Sequence, residues 1–161
     1  MKPDVDPGLF RQLLGRFATG VTVLTTRDPE GRPVGMTASS LASVSLKPPL
    51  LSVCVDFTAD MHRVLSSSGS FVINILGAHQ EELSRRFAEA SPAERFTGVG
   101  WRETAEGLVT LDGALAYIEC ERFADFPLGD HTLFVGRVTG GTVATGEPLL
   151  YFRGAYGSFQ R

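Results

Sequence analysis

Residues Gly35–Asp56 read GMTASSLASVSLKPPLLSVCVD and join two kinds of strand in one stretch. The first part, Thr37–Ser40, carries small and hydroxyl-bearing side chains, which make a poor core but can line a ligand with amides and hydroxyls. The last part, Leu50–Val55, is a continuous apolar run typical of a buried strand, and Asp56 closes it. This pairing predicts that a phosphorylated or polyhydroxylated molecule lies against the edge of a sheet.

Length and composition indicate one globular domain covering residues 1–161. A chain of this size can bury about two-thirds of its unfolded surface. The net charge of -3 and the pI near 5.6 argue against surfaces for nucleic acid or anionic membranes. The sequence lacks the run of about 20 apolar residues that spans a bilayer. Its first ten residues, MKPDVDPGLF, are acidic and proline-rich, so we expect no secretory signal and a cytoplasmic protein.

Familiar motifs of reactive sites are missing from the chain. It has no GxGxxG after a strand, no GxxxxGK[ST] and no GxSxG. His62, His79 and His131 have no cysteine or histidine at metal-ligand spacing, so no metal site is predicted. Cys54 and Cys120 lie in apolar surroundings and are expected to be buried free thiols.

Hydrophobic periodicity predicts a mainly β domain with a few short helices. Turn residues at Asp28–Gly31 favour a hairpin, and a second turn is expected over Phe126–Asp130. A closed antiparallel barrel would protect the edges of so many short strands. The predicted helices cover 7–19, 61–67 and 80–90, and the main predicted strands cover 21–26, 34–40, 43–46, 50–56, 71–76, 115–123, 132–139 and 147–152.

Three further segments add candidate functional groups. Asp56-Phe57-Thr58 follows the buried strand, Gly129-Asp130-His131 is a turn with a histidine beside a carboxylate, and Tyr151–Gly157 mixes aromatic residues, one arginine and glycines. Taken singly, the histidine turn is more simply a surface turn, and Tyr151–Gly157 is more simply a barrel-closing strand.

The order of the segments resembles the flavin reductase-like family, the short flavin:NAD(P)H oxidoreductases that serve two-component monooxygenases. The resemblance covers about residues 8–157, and its strength lies in seven motifs that follow one another in the family's order. These are GMTASSLASVSLKPPLLSVCVD, FVINIL, LSRRFA, the Arg95-Phe96 to Trp101 stretch, LDGALAYIEC, GDHTLFVGRV and PLLYFRGAYG.

This resemblance implies an FMN-binding split β-barrel, antiparallel and Greek-key-like, that forms a homodimer with flavin near the subunit interface. It also implies a set of contacts to the flavin ring, ribityl chain and phosphate. Thr58 keeps one hydroxyl near the phosphate, whereas Ala59 and Met61 replace two others. We therefore expect either a weaker hold on the phosphate or assistance from the two arginines of LSRRFA. The implied cofactor-binding residues are Met36, Thr37, Ala38, Ser39, Ser40, Cys54, Val55, Asp56, Thr58, Arg85 and Arg86.

By the same resemblance, His131 and Tyr156 face the nicotinamide. His131 is the candidate catalytic residue, which would orient the dihydronicotinamide or help place a proton on reduced flavin. Hydride transfer needs two stacked rings and no protein nucleophile, so the missing motifs agree with this chemistry.

Three functions follow from the resemblance. The first is an NAD(P)H:flavin oxidoreductase that transfers a hydride from NADH or NADPH to FMN or FAD and supplies reduced flavin to a partner monooxygenase. The second is a split-barrel flavoprotein that keeps FMN tightly and acts on another small substrate. The third is a non-catalytic flavin-binding protein.

Overall fold

The computed structural model describes all residues, 1–161, and confirms the mainly β prediction. Every pair of neighbouring strands is antiparallel. Three helices, α1 (Pro7–Leu14), α2 (Asp60–Ser67) and α3 (Glu81–Glu89), accompany twelve strands. The strands are β1 (Thr19–Gly20), β2 (Thr22–Arg27), β3 (Pro33–Ala38), β4 (Ala42–Leu46), β5 (Pro49–Asp56), β6 (Ser70–Ile75), β7 (Trp101–Glu103), β8 (Val109–Leu111), β9 (Ala116–Leu128), β10 (His131–Val143), β11 (Leu149–Phe152) and β12 (Ala155–Ser158).

The main sheet has seven strands in the order β3-β2-β6-β9-β10-β5-β4, so β3 and β4 are its two edges. Only residues 39–41 connect these edges, and a chain of that length spans at most about 14 Å. A flat seven-stranded sheet would separate its edges by about 29 Å. The sheet therefore curls until its edges approach each other, as a split barrel requires.

The prediction of a closed barrel differs from the structure, because no hydrogen-bonded ladder joins β3 to β4 or β5. The physical reason is the short turn: the chain leaves β3 at Ala38, and Ser39 and Ser40 lie outside any strand. Both serines thus lie at the split, outside the strand pairing.

Several predicted boundaries also shift, most clearly at α1 and at the β9–β10 hairpin. Helix α1 ends at Leu14 and not at residue 19, because Thr19 and Gly20 pair with Tyr151 and Leu150 in the small sheet β1-β11-β12. The hairpin of β9 and β10 turns only at residues 129–130, so the predicted wider turn over Phe126–Asp130 is wrong. Leu128 and Pro127 continue β9 by pairing with the first residues of β10.

The core consists of two apolar clusters. The larger one fills the curled sheet and includes Leu24, Val53, Phe71 and Phe134. The smaller one packs Phe87 of α3 with residues from the strands and from the segment before β9. Both clusters include a residue of β2, Leu24 in the larger one and Val23 in the smaller one.

The two cysteines have different surroundings. Both are free, and burial raises the pKa of the Cys120 thiol to about 12, which keeps it protonated. Cys54, predicted to be buried, is instead partly exposed, because its side of β5 faces the split. None of the three helices has the length and apolar character required to cross a bilayer.

Candidate functional site

A cleft of about 410 Å³ opens at the split of the barrel, beside the end of β3. It brings together Thr37, Ala38, Ser39, Arg85 and Tyr156, five residues that the sequence pointed to. The strand β3, the helix α3 and the hairpin β11–β12 each supply part of the wall. The remaining lining residues are Val21, Ala88, Glu89, Tyr151 and Gly154.

A chain of hydrogen bonds orders one wall of the cleft. The Thr37 hydroxyl donates to the backbone oxygen of Ser84 at 2.6 Å, and the Ser84 hydroxyl lies 2.8 Å from that of Tyr156. Ser84 is fully buried, and its two hydrogen bonds fix the positions of β3, α3 and β12 relative to one another. The segment LSRRFA pointed to its arginines and not to this serine, because sequence spacing does not show which hydroxyl a serine contacts.

Arg85 lies over the ring of Tyr156, with its guanidinium carbon 4.8 Å from the ring centroid. Its Nη2 donates to Glu81 at 2.8 Å, and Glu89 lies 4.0 Å away on its other side. The hydrogen bond to Glu81 raises the pKa of Arg85, so the guanidinium stays charged. The cleft therefore contains one cation beside an aromatic face.

Three residues that were predicted to bind the cofactor do not line this cleft. Arg86 lies outside this cleft and donates to the backbone oxygen of Thr97 at 2.7 Å. The side chain of Val55 is wholly buried in the larger core cluster, and Met36 packs against the same cluster. Val55 can reach a ligand only through its backbone groups, whereas Met36 is partly exposed.

Ser40 links the two sides of the split. Its hydroxyl accepts from the Cys54 amide at 3.0 Å and donates to the Cys54 carbonyl at 3.2 Å. These two bonds join the chain just after β3 to β5, where no backbone ladder connects the two strands. Ser39 lines the cleft immediately before it, so the end of the Thr37–Ser40 segment lies beside Cys54 at the split.

The remaining predicted residues form a second group at the end of β5, which we call the strand-end group: Asp56, Thr58, Asp130 and His131. His131 pairs with Asp56 across the strands, and its Nδ1 lies 2.6 Å from an oxygen of Asp130. The Thr58 hydroxyl and amide both donate to Asp56 at 2.7 Å and hold the pKa of that carboxyl below its usual range. Asp56 is thus a fixed negative charge beside His131.

His131 and Tyr156, predicted to face the nicotinamide together, belong to different groups. Tyr156 bonds Ser84 in the cleft, whereas His131 lies beyond the Ser40–Cys54 link in the strand-end group. The predicted shared role of these two residues stays a prediction.

A second cleft of about 700 Å³ adjoins the first and shares Ser39, Tyr151 and Gly154 with it. It lies between α1 and the turn of the β11–β12 hairpin, and its charged lining consists of Arg11, Arg16 and Arg153. Arg153 adopts a left-handed backbone conformation with φ of 53°, and its amide donates to Gly15 at 3.0 Å. Such strain in a residue other than glycine is common at ligand sites. This cleft, which sequence reasoning missed, suits an anion.

Comparison with known proteins identifies the family. The model of the flavin reductase like domain matches residues 14–160. The chain belongs to the flavin reductase-like family. The resemblance over about residues 8–157, seen in seven ordered motifs, is therefore confirmed.

Relatives in this family are named flavin reductases. The chain is 43% identical over 152 residues to FMN reductase (NADH) SmoA of Agrobacterium fabrum, a match that covers 94% of this chain and 86% of that protein. It is 39% identical over 153 residues to HsaB of Rhodococcus jostii, the reductase subunit of a flavin-dependent monooxygenase, covering 94% of this chain and 77% of HsaB.

Solved structures of the family have the same fold. The NADH:FAD oxidoreductase SgcE6 of Streptomyces globisporus C-1027, in complex with NAD and FAD fragments, superimposes with a TM-score of 0.90 at 38% identity. The match covers 99% of this chain and 98% of that one. The predictions of a split-barrel fold and of a flavin reductase that uses a flavin and a nicotinamide cofactor are confirmed by these relatives.

Proposed function

We propose that this protein transfers a hydride from NADH or NADPH to FMN or FAD and releases the reduced flavin to a monooxygenase. One observation carries the proposal: the cleft at the split joins hydroxyls, an aromatic ring and one guanidinium. These groups suit a ligand that has a flat ring at one end and a phosphate at the other. A bound flavin supplies the hydride acceptor, and the protein supplies its position.

The geometry favours Arg85 for the flavin phosphate. Thr58, the alternative, uses both its hydroxyl and its amide to bind Asp56, and that carboxylate would repel a phosphate. Arg85 also bonds a carboxylate, that of Glu81, but its half-exposed guanidinium lines the cleft and carries the positive charge that attracts a phosphate. We leave Arg86 out of the proposed site because it holds the Thr97 backbone.

With the phosphate at Arg85, the flavin ring would lie toward Ser39, Ser40 and Cys54. The resemblance to the family implies further contacts of the ring with the backbone of Met36, Ala38 and Val55. The adjoining cleft between α1 and the β11–β12 turn would hold the diphosphate of the nicotinamide dinucleotide, because three arginines and no acidic residue line it. His131 would approach the reacting rings from the opposite side of the Ser40–Cys54 link.

A monooxygenase partner is supported by HsaB, a relative named as a reductase subunit of such an enzyme. A second copy of this chain is also proposed as a partner, because α1 has no buried residue although it carries Leu9, Phe10, Leu13 and Leu14. The two free cysteines agree with a reducing compartment, and we propose the cytoplasm.

The proposal is tested by steady-state oxidation of NADH and NADPH with riboflavin, FMN and FAD supplied in turn. We expect the purified protein to oxidise a nicotinamide only when flavin is added, with a rate that saturates in flavin. Full activity of a yellow protein without added flavin would instead favour the tightly bound flavoprotein. A flavin-binding protein that oxidises neither nicotinamide would contradict any reductase function.

A further inference from the structure

Arg85 already has an ionic partner, because the carboxylate of Glu81 in the same helix bonds to its guanidinium. Its Nε and Nη2 both donate to one oxygen of Glu81, at 3.2 Å and 2.8 Å. Glu89, one turn further along α3, lies 4.0 Å from Nη1. The two glutamates stand four residues before and four after Arg85, so the helix itself places both beside the guanidinium.

We propose that Glu81 competes with the flavin phosphate for Arg85 and thereby sets the affinity for phosphorylated flavins. The inference rests on the proposed function and assigns a role to a residue that would not touch the flavin. A phosphate and the Glu81 carboxylate need the same N–H donors, so the guanidinium must give up one anion to bind the other.

The exposure of the pair makes this exchange feasible. The side chains of Arg85 and Glu81 are 52% and 48% exposed, so neither is locked by packing. Exposed ion pairs of this kind are weak, and breaking one changes an equilibrium by no more than about fivefold. Glu81 would therefore loosen the hold on the flavin without abolishing it, which suits a cofactor that must leave as a product.

A simpler role for Glu81 is to stabilise α3, as i,i+4 pairs generally do. The two roles differ in their dependence on phosphate. A helix-stabilising residue affects FMN and riboflavin alike, whereas a competitor for Arg85 affects only the flavin that carries a phosphate.

The experiment measures Kd for oxidised FMN and for riboflavin by quenching of flavin fluorescence at low ionic strength. Glu81→Gln should tighten FMN binding about two- to fivefold and leave riboflavin binding unchanged. Arg85→Gln should remove the preference for FMN over riboflavin, and adding Glu81→Gln to it should have no further effect. The matched control is Glu82→Gln, which removes the same charge from the same turn but makes no bond to Arg85.

An unchanged ratio of the FMN and riboflavin Kd values in Glu81→Gln would overturn the inference, as would an equal effect of Glu82→Gln. Either result leaves the proposed function intact if the wild-type protein still prefers FMN and oxidises a nicotinamide. Failure of the wild-type protein to bind any flavin would overturn the proposed function and this inference with it.

Discussion

His131 has an orientation that its neighbours impose. Its Nδ1 is bonded to Asp130, its strand partner is the negatively charged Asp56, and Nε2 makes no hydrogen bond within the chain. An imidazole held by one nitrogen can present the other to a ligand. This arrangement fits a group that orients a dihydronicotinamide, and it leaves the proposed flavin contacts in the cleft untouched.

We expect His131→Ala to lower kcat for NADH oxidation at least tenfold while changing the flavin Kd less than twofold, since proton placement contributes about 10²-fold or more when it is used. The measurement combines steady-state kinetics with flavin titration. His79→Ala is the control, because His79 is exposed and lies outside both groups. An equal loss of rate and flavin affinity in His131→Ala would make the histidine a structural residue.

At the scale of the elements, Asn74 of β6 ties three pieces of backbone together. This fully buried side chain donates to the Val23 carbonyl at 3.0 Å and to the Thr25 hydroxyl at 2.9 Å. Its oxygen accepts from the Leu111 amide at 2.9 Å. The amide of Asn74 thus fastens β8, which belongs to a separate two-stranded sheet, onto β2 and β6.

Asn74→Leu should reduce the free energy of unfolding by about 2–4 kcal/mol, because it leaves a buried amide and carbonyl without partners. Chemical denaturation measures this loss. Thr139→Ala removes a hydrogen bond at an exposed site and should change stability by less than about 0.5 kcal/mol. Equal effects of the two substitutions would show that burial of the hydrogen bond does not decide how much unfolding free energy is lost.

At the scale of the whole molecule, the apolar surface is unevenly covered. Helix α1 has no buried residue: Leu13 is 56% exposed, and Phe17 just after the helix is 75% exposed. Large apolar side chains grouped in this way mark interaction surfaces. A symmetric contact with a second copy would cover them.

Leu13→Glu should convert a dimer into a monomer, since it introduces a charge into the covered surface. Size-exclusion chromatography with light scattering, at micromolar protein, gives the mass. Gln12→Glu adds the same charge at the neighbouring position, outside the apolar side chains of α1, and should leave the mass unchanged. A wild-type protein that is monomeric under these conditions would contradict the proposal.

Local patterns predicted much of this molecule. The apolar run Leu50–Val55 became the buried strand β5, the turn Asp28–Gly31 became a hairpin, and the periodicity of residues 80–90 became α3. These features depend on neighbours in the sequence, so the sequence shows them. The ends of α1 and the length of the β9–β10 hairpin were missed because partners far along the chain decide them.

The sequence likewise predicted some residues of the candidate site and missed others. Thr37, Ser39, Arg85 and Tyr156 were found from their segments and do line one cleft. Ser84, Glu81 and the arginine-lined cleft beside α1 were missed, because their importance lies in distances across the fold. Arg86, adjacent to Arg85 in sequence, points elsewhere because successive residues of a helix face about 100° apart.

By itself, the sequence determined that Gly35–Asp56 would place a small, polar strand end beside a buried strand, since side-chain size and polarity act locally. Only the tertiary structure decided that three residues, 39–41, bridge the two edges of a seven-stranded sheet. That short connection forces the sheet to curl, leaves the hydroxyls of Ser39 and Ser40 outside the ladder, and opens the cleft where we place the flavin.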